Sequence, residues 1–258
     1  MPEFLEGKNP VWEALKAGRP VHRIYLAGEK DRKTGEIIGM ARERKILVDF
    51  VSPDRIRRMA RTAAHQNVLA VVGEKEFASL DGILNYAAAL GEAPFLILLD
   101  QVVDPHNLGS LIRTGEAAGV HGMVIPQRRS AGLTATVAKV ASGALEHVPV
   151  ARTVNLSRTM QELKEKGVWL VGAEAEGRTA CYDVDLTVPV ALVLGSEGRG
   201  LRPLIKRDCD WLVRIPMYGR INSLNVAVAG AILIYETVRQ RKGKRGDKTA
   251  DFGKKPAF

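Results

Sequence analysis

Apolar and polar positions along the chain fall into short segments whose spacing switches between two and about 3.6 residues. In the first third, Arg23 to Leu26, Ile46 to Phe50 and Val68 to Val72 read as strands, while Glu36 to Arg44 and Pro53 to Thr62 read as helices. That alternation predicts a small α/β layer domain over residues 1–75. The next stretch, 76–93, is rich in small and polar residues and reads as a linker holding a short helix at Leu80 to Leu90. From residue 94 to 242 the alternation resumes on a larger scale, with strands near residues 95, 122, 147, 168, 190 and 211 and helices between and after them. The last helix, Ser223 to about Arg241, is apolar on all sides in its first half and is expected to be buried there. Residues 243–258 have the composition of a mobile basic tail.

Composition narrows the class. The 258 residues are 46% hydrophobic and 26% charged, enough for two ordinary soluble domains. Met1 to Pro10 carries no charged-then-apolar leader, and the uncharged run Ile221 to Tyr235 is too short to span a bilayer, so no membrane partner and a cytoplasmic location are expected. Cys181 and Cys209 are isolated, and the five histidines are scattered, so neither a disulfide framework nor a metal site is expected. The net charge of +9 is uneven: +5 over residues 1–75, −2 over 76–238 and +6 over 239–258. Two basic regions flanking a slightly acidic body fit a protein that grips a polyanion with its ends. Arg55, Arg57, Arg58 and Arg61 serve either as that grip or as a solvated helix face.

Three segments carry candidate chemistry. Trp211 to Ile215 reads as a strand that leads through Pro216-Met217-Tyr218-Gly219 into Arg220-Ile221-Asn222-Ser223-Leu224-Asn225 and a helix. Such a junction offers unpaired backbone N–H groups and the positive end of a helix dipole; the simpler role for Ser223 is to cap the helix. Upstream, the buried strand Ala191 to Leu194 precedes Gly195-Ser196-Glu197-Gly198-Arg199-Gly200-Leu201, whose glycines let backbone approach a ligand closely. Further back, Phe95 to Leu99 precedes Asp104-Pro105-His106-Asn107-Leu108-Gly109, which opens a helix reaching Arg113. Asn107 and Arg113 are nearly two turns apart and are expected on the same side of it. A dinucleotide-binding Rossmann fold would place its glycines after the first strand, whereas these come late.

The three segments in this order resemble the motif set of the SpoU/TrmH family of RNA ribose 2′-O-methyltransferases, a branch of the SPOUT class. Gly7-Lys8-Asn9-Pro10-Val11 and His65-Gln66-Asn67-Val68-Leu69-Ala70-Val71-Val72 resemble that family's N-terminal RNA-binding domain, so the resemblance spans nearly the whole chain. Asn67 departs from the glycine usual there, and asparagine tolerates the left-handed backbone a turn would need. The resemblance is strongest to bacterial enzymes that methylate a guanosine of 23S ribosomal RNA. It implies an α/β fold: a C-terminal SPOUT domain with a parallel sheet and a trefoil knot, plus a small L30e-like N-terminal RNA-binding domain. It also implies a homodimer and S-adenosyl-L-methionine as cofactor. The cofactor-binding residues would be Leu194, Gly195, Glu197, Gly200, Ile215, Met217, Gly219, Ser223 and Leu224; the catalytic residues would be Asn107, Arg113, Glu197, Ser223 and Asn225. Arginine stays protonated at neutral pH, so Arg113 is read as a cation that clamps a phosphate and steadies a developing alkoxide rather than as a base. Asn107 would orient Arg113 or its loop, and His106 ranks below Arg113. Transfer RNA, another ribosomal nucleotide, or a silent RNA-binding assembly role remain the alternatives.

Overall fold

The computed structural model describes residues 3–28, 31–60, 62–73, 75–221 and 223–244. Arg61, Glu74, Asn222 and residues 245–258, most of the basic tail, lie outside the described residues. The described residues form two units: 3–76 with 133–147, and 77–132 with 148–244.

The first unit contains β1 (Glu3–Glu6), α1 (Lys8–Lys16), β2 (Val21–Leu26), α2 (Arg32–Glu43), β3 (Leu47–Phe50), α3 (Pro53–Met59) and β4 (Val68–Val72). Its four-stranded sheet runs β1-β4-β2-β3, with β4 antiparallel to both neighbours and β2 parallel to β3. Leu5, Leu15, Ile24, Ile37, Ile56 and Leu69 fill its core. Asn67 holds φ 59°, so the left-handed turn expected there is present. Arg55, Arg57 and Arg58 surround a single buried residue, Ile56, and all three are exposed.

The second unit opens with α4 (Leu80–Ala89), β5 (Phe95–Asp100), α5 (Pro105–Ala118) and β6 (Gly122–Pro126). The stretch expected as a linker is part of this unit: Ile83 of α4 is fully buried in its core, and a Cβ on Gly122 would lie 2.6 Å from it. The chain then contributes α6 (Ala135–Ala141) and a 3-10 turn at Ala144–Glu146 to the first unit. There Glu146 is buried between Arg19, at 2.9 Å, and Lys75, at 3.3 Å. The second unit continues with β7 (Val150–Thr153), α7 (Leu156–Glu165), β8 (Trp169–Ala173), β9 (Thr179–Ala180), β10 (Val190–Gly195), α8 (Pro203–Asp208), β11 (Trp211–Arg214) and α9 (Val226–Lys244).

Its sheet is entirely parallel and runs β7-β6-β5-β10-β8-β11-β9. The central strands β5 and β10 are buried at every position, which explains their unbroken apolar runs. Asp104 caps α5 by accepting from His106 N, Pro105 starts it, and Gly119 at φ 77° ends it. Helix α9 packs on α5 and β10. Gly230 permits this approach, since a Cβ there would come within 2.4 Å of Leu111 and 2.8 Å of Leu194. The burial expected for α9 holds on that side only: Val228 and Tyr235, seven residues apart and on one face, are 48% and 50% exposed.

Candidate active site

The site grows from the carboxyl ends of β5 and β10, which pair so that Asp100 stands opposite Gly195. Asp100 is fully buried, and its carboxylate accepts from Arg202 N at 2.9 Å and Arg202 Nε at 2.7 Å. This pins the far end of the loop that leaves β10. The near end closes on itself, because Ser196 and Gly200 exchange backbone hydrogen bonds of 3.2 and 3.0 Å. Gly198 and Gly200 supply the positive φ angles, 76° and 62°, that so tight a turn requires. Gly195 was expected to make room for a ligand. Its room is taken by the loop's own chain: a Cβ would lie 2.2 Å from Gly200 C and 2.4 Å from Leu201 N.

The asparagine at the start of α9 draws the three segments together. Asn225 Oδ1 accepts from Ala227 N at 2.9 Å and Val228 N at 3.3 Å, which makes Asn225 the cap of the helix. With its oxygen so committed, its amide nitrogen faces inward, donating to Asn107 Oδ1 at 3.0 Å and to Glu197 Oε1. Asn107, Glu197 and Asn225, each from a different segment, therefore meet. The helix begins at Val226 rather than Ser223. Ser223 is exposed and lies two residues before the cap, so it does not hold the helix end.

Arg113 is placed otherwise than expected. Six residues advance a helix by about 600°, leaving a 120° offset. Accordingly Asn107 is buried against the Asn225 amide while Arg113 is exposed. Asn107 orients the start of α9, not Arg113. Among the described residues no ion pair or hydrogen bond engages the Arg113 guanidinium. His106 is exposed in the first turn of α5 and stays outside the cluster.

The residues expected to hold a cofactor lie along the same edge. Leu194 is buried in β10, Ile215 is half-buried, and Met217 and Leu224 are 38% and 37% exposed. Residues 215–221 and 223–225 form neither helix nor strand, and a Cβ on Gly219 would meet nothing within 4 Å. Partly uncovered apolar side chains beside irregular backbone suit a flat ring whose polar edge takes main-chain hydrogen bonds. Asp100, Arg202 and Glu174 were not foreseen. Glu174 follows β8, pairs with Lys206 at 2.7 Å, and lies within 3.3 Å of where a Cβ on Gly200 would sit. The one sequence signal for Asp100 is a carboxylate ending an otherwise apolar strand.

Neither cysteine offers a nucleophile. Burial pushes the Cys209 thiol up to about 12 and raises Cys181 as well. Among the described residues no group of three or more His, Cys, Asp or Glu side chains is arranged to hold a metal, and no helix is long and apolar enough to cross a membrane.

Comparison with known proteins finds relatives over nearly the whole chain. The profile of the SpoU rRNA Methylase family matches residues 94–235, and that of the RNA 2′-O ribose methyltransferase substrate-binding domain matches residues 4–78. A putative TrmH family tRNA/rRNA methyltransferase of Bacillus subtilis, YacO, is 43% identical over 240 residues, covering 93% of this chain and 96% of its own. Among solved structures, the SpoU methyltransferase AviRb from Streptomyces viridochromogenes, in complex with the cofactor AdoMet, superposes with a TM-score of 0.79. It is 28% identical and covers 93% of this chain and 90% of its own. The AdoMet-bound rRNA methyltransferase from Sinorhizobium meliloti gives a TM-score of 0.77 at 27% identity, covering 92% and 87%.

Proposed function

The chain belongs to the SpoU rRNA Methylase family, and on that premise we propose that it methylates the ribose 2′-hydroxyl of one guanosine in 23S ribosomal RNA. The observation that carries this reading is the Asn225 amide, which joins Asn107 and Glu197 and leaves Arg113 unengaged at the surface. S-adenosyl-L-methionine would lie along Leu194 to Gly200 and Ile215 to Leu224. Its fit there is supported by the uncovered apolar side chains of Met217 and Leu224 and by the open space at Gly219. Bound, it supplies an electrophilic methyl group on a sulfonium.

The chain's own residues then supply orientation and charge. Asn225 and Glu197 keep the loops after β10 and before α9 in register, and the Asp100–Arg202 pair fixes the outer arm of the first loop. Ser223, exposed beside them, is free to hydrogen-bond the cofactor or the ribose. Arg113 holds the phosphate next to the acceptor ribose and stabilises negative charge developing on the 2′-oxygen as its proton leaves. A sugar-phosphate acceptor suits this set, because the loops that follow β5, β10 and β11 offer no aromatic wall for a base beyond Tyr218.

The same reading includes a homodimer and a trefoil knot formed by the late loops. The dimer is supported by Ile221, Val228 and Tyr235, which leave an apolar strip on and just before α9 at 73%, 48% and 50% exposure. Residues 4–78 would grip the RNA in a cytoplasmic protein, with transfer to tRNA or another ribosomal nucleotide as the second reading. The test is transfer of labelled methyl from S-adenosyl-L-methionine to an unmodified 23S transcript. A transcript carrying 2′-deoxyguanosine at the mapped position should accept none; transfer to it would refute the 2′-O assignment.

A further inference from the structure

The carboxyl edge of the parallel sheet is rimmed with arginine. Arg128 and Arg129 follow β6, Arg199 and Arg202 follow β10, and Arg220 follows β11, while Arg178 lies between β8 and β9. The connections that lead into β5, β6, β8, β10 and β11 contain none. Lysine is absent from the rim loops as well, and guanidinium is the cation whose fork matches phosphate oxygens in pairs.

Within that rim the turn after β6 stands apart. Arg202 is committed to Asp100, whereas Arg128 and Arg129 are exposed and, among the described residues, engage no ion pair or hydrogen bond. Arg129 holds φ 58°, a left-handed backbone that glycine or asparagine would adopt at less cost. An arginine there gains no ion pair or hydrogen bond among the described residues in exchange for that strain, as suits a residue kept for what it meets outside. The turn is also anchored toward the site. Ala131 N donates to Val102 O at 2.9 Å, and Val102 lies two residues before Asp104, the cap of the helix that carries Asn107 and Arg113. Gln101, in that same segment, is left-handed too, at φ 63°.

The geometry points to the Arg128–Arg129 turn as a phosphate clamp that positions the acceptor RNA: two guanidiniums take successive backbone phosphates beside the nucleotide presented to Arg113. This rests on the RNA-methylation reading and adds a second grip, on the catalytic unit itself, to the one assigned to residues 4–78. Both are positioning residues. They touch the strand away from the reacting ribose, so their removal should weaken RNA binding and leave cofactor binding untouched.

The test compares wild type, Arg128→Ala/Arg129→Ala and Arg129→Gly on the full chain, with an unmodified 23S transcript as probe. Binding is measured across a salt series. The double variant should lose about tenfold in affinity at low salt, and its slope of log K against log salt should flatten by about 1.4, two phosphates at about 0.7 each. Arg129→Gly relieves the backbone, so it should melt at or above the wild-type temperature while losing about half of that slope change. S-adenosyl-L-methionine affinity by calorimetry should stay within twofold in all three. Wild-type slopes in variants that melt normally would overturn the clamp. The wild-type arm also records methyl transfer to the same transcript, so failure of the methylation reading appears there and failure of the clamp appears in the slopes.

Discussion

The two ends of the parallel sheet use the same residue type in opposite ways. At the amino end, Arg241 of α9 donates to the carbonyls of Ala93, Pro94, Leu186 and Val188 at 2.8 to 3.2 Å and lies over the Phe95 ring. The carbonyl of Leu186 is the longest of these contacts. Nearby, His121 is 1% exposed, with Nδ1 accepting from Phe95 N and Nε2 paired with Glu92. Polar groups there close the fold. At the carboxyl end, Arg128 and Arg129 stand in solvent, as does Arg113 on the helix that starts there, and the buried polar groups, Asp100 and Asn107, hold loops rather than strands. Ligands of open parallel sheets gather at carboxyl ends. The contrast adds why: the Arg128 and Arg129 guanidiniums are left over once the described fold has made its hydrogen bonds, whereas that of Arg241 is consumed by them.

Replacing one arginine from each end is the strongest way to break the comparison. Arg113→Ala should lower methyl transfer by about 10²- to 10³-fold, the usual scale for losing a charge-stabilising donor. Its Tm should match wild type, and S-adenosyl-L-methionine affinity by calorimetry should stay within a few-fold; loss of fold together with binding would make Arg113 structural. Arg241→Ala should do the reverse. It strands several carbonyls, costing about 3 kcal/mol and lowering Tm by about 8 °C, with activity per folded molecule retained.

A smaller effect sharpens the boundary between the two roles. Asn225→Asp keeps the helix cap but turns the inward-facing donor into an acceptor against Asn107 Oδ1 and the Glu197 carboxylate. The variant should be about 1 kcal/mol less stable at pH 7, because two like charges then share one site. Protonation of the introduced aspartate relieves the repulsion, so the deficit relative to wild type should shrink as pH falls toward about 4. Urea unfolding at both pH values measures this, and an unchanged deficit would mean that Glu197 does not face residue 225. The smallest effect is none at all. With the Cys209 thiol pushed up to about 12 and Cys181 also raised, both are neutral at pH 8. Iodoacetamide should label them only after denaturation, as read by mass spectrometry.

Much of this was legible in the chain because the signals are local. The unbroken apolar runs of β5 and β10, the Asp-Pro start and glycine stop of α5, and the three motif segments each lie within about twenty residues. What escaped is what depends on distance or degeneracy. Asn225 and Asn107 are 118 positions apart, so no spacing announces their hydrogen bond. Ser223 and Asn225 are both good caps, and only the direction of the preceding loop decides between them. Strand β1 has four residues and β9 two, too short for periodicity to register. The segment 133–147 reads as part of the catalytic half, yet Glu146 finds its partners in Arg19 and Lys75. A cut at residue 90 would likewise remove Ile83 from the core of the second unit.

The crowding at Gly195 bears on how activity is inferred among relatives. Since a methyl group at that position would strike the loop's own backbone, selection for folding alone retains the glycine. A duplicate that had stopped transferring methyl groups would keep it, and would keep Gly230 for the same reason. Arg113, which makes no ion pair or hydrogen bond among the described residues, would drift first. On the mechanism proposed above, a lineage that preserves the glycines and loses the arginine would have kept the architecture and abandoned the reaction.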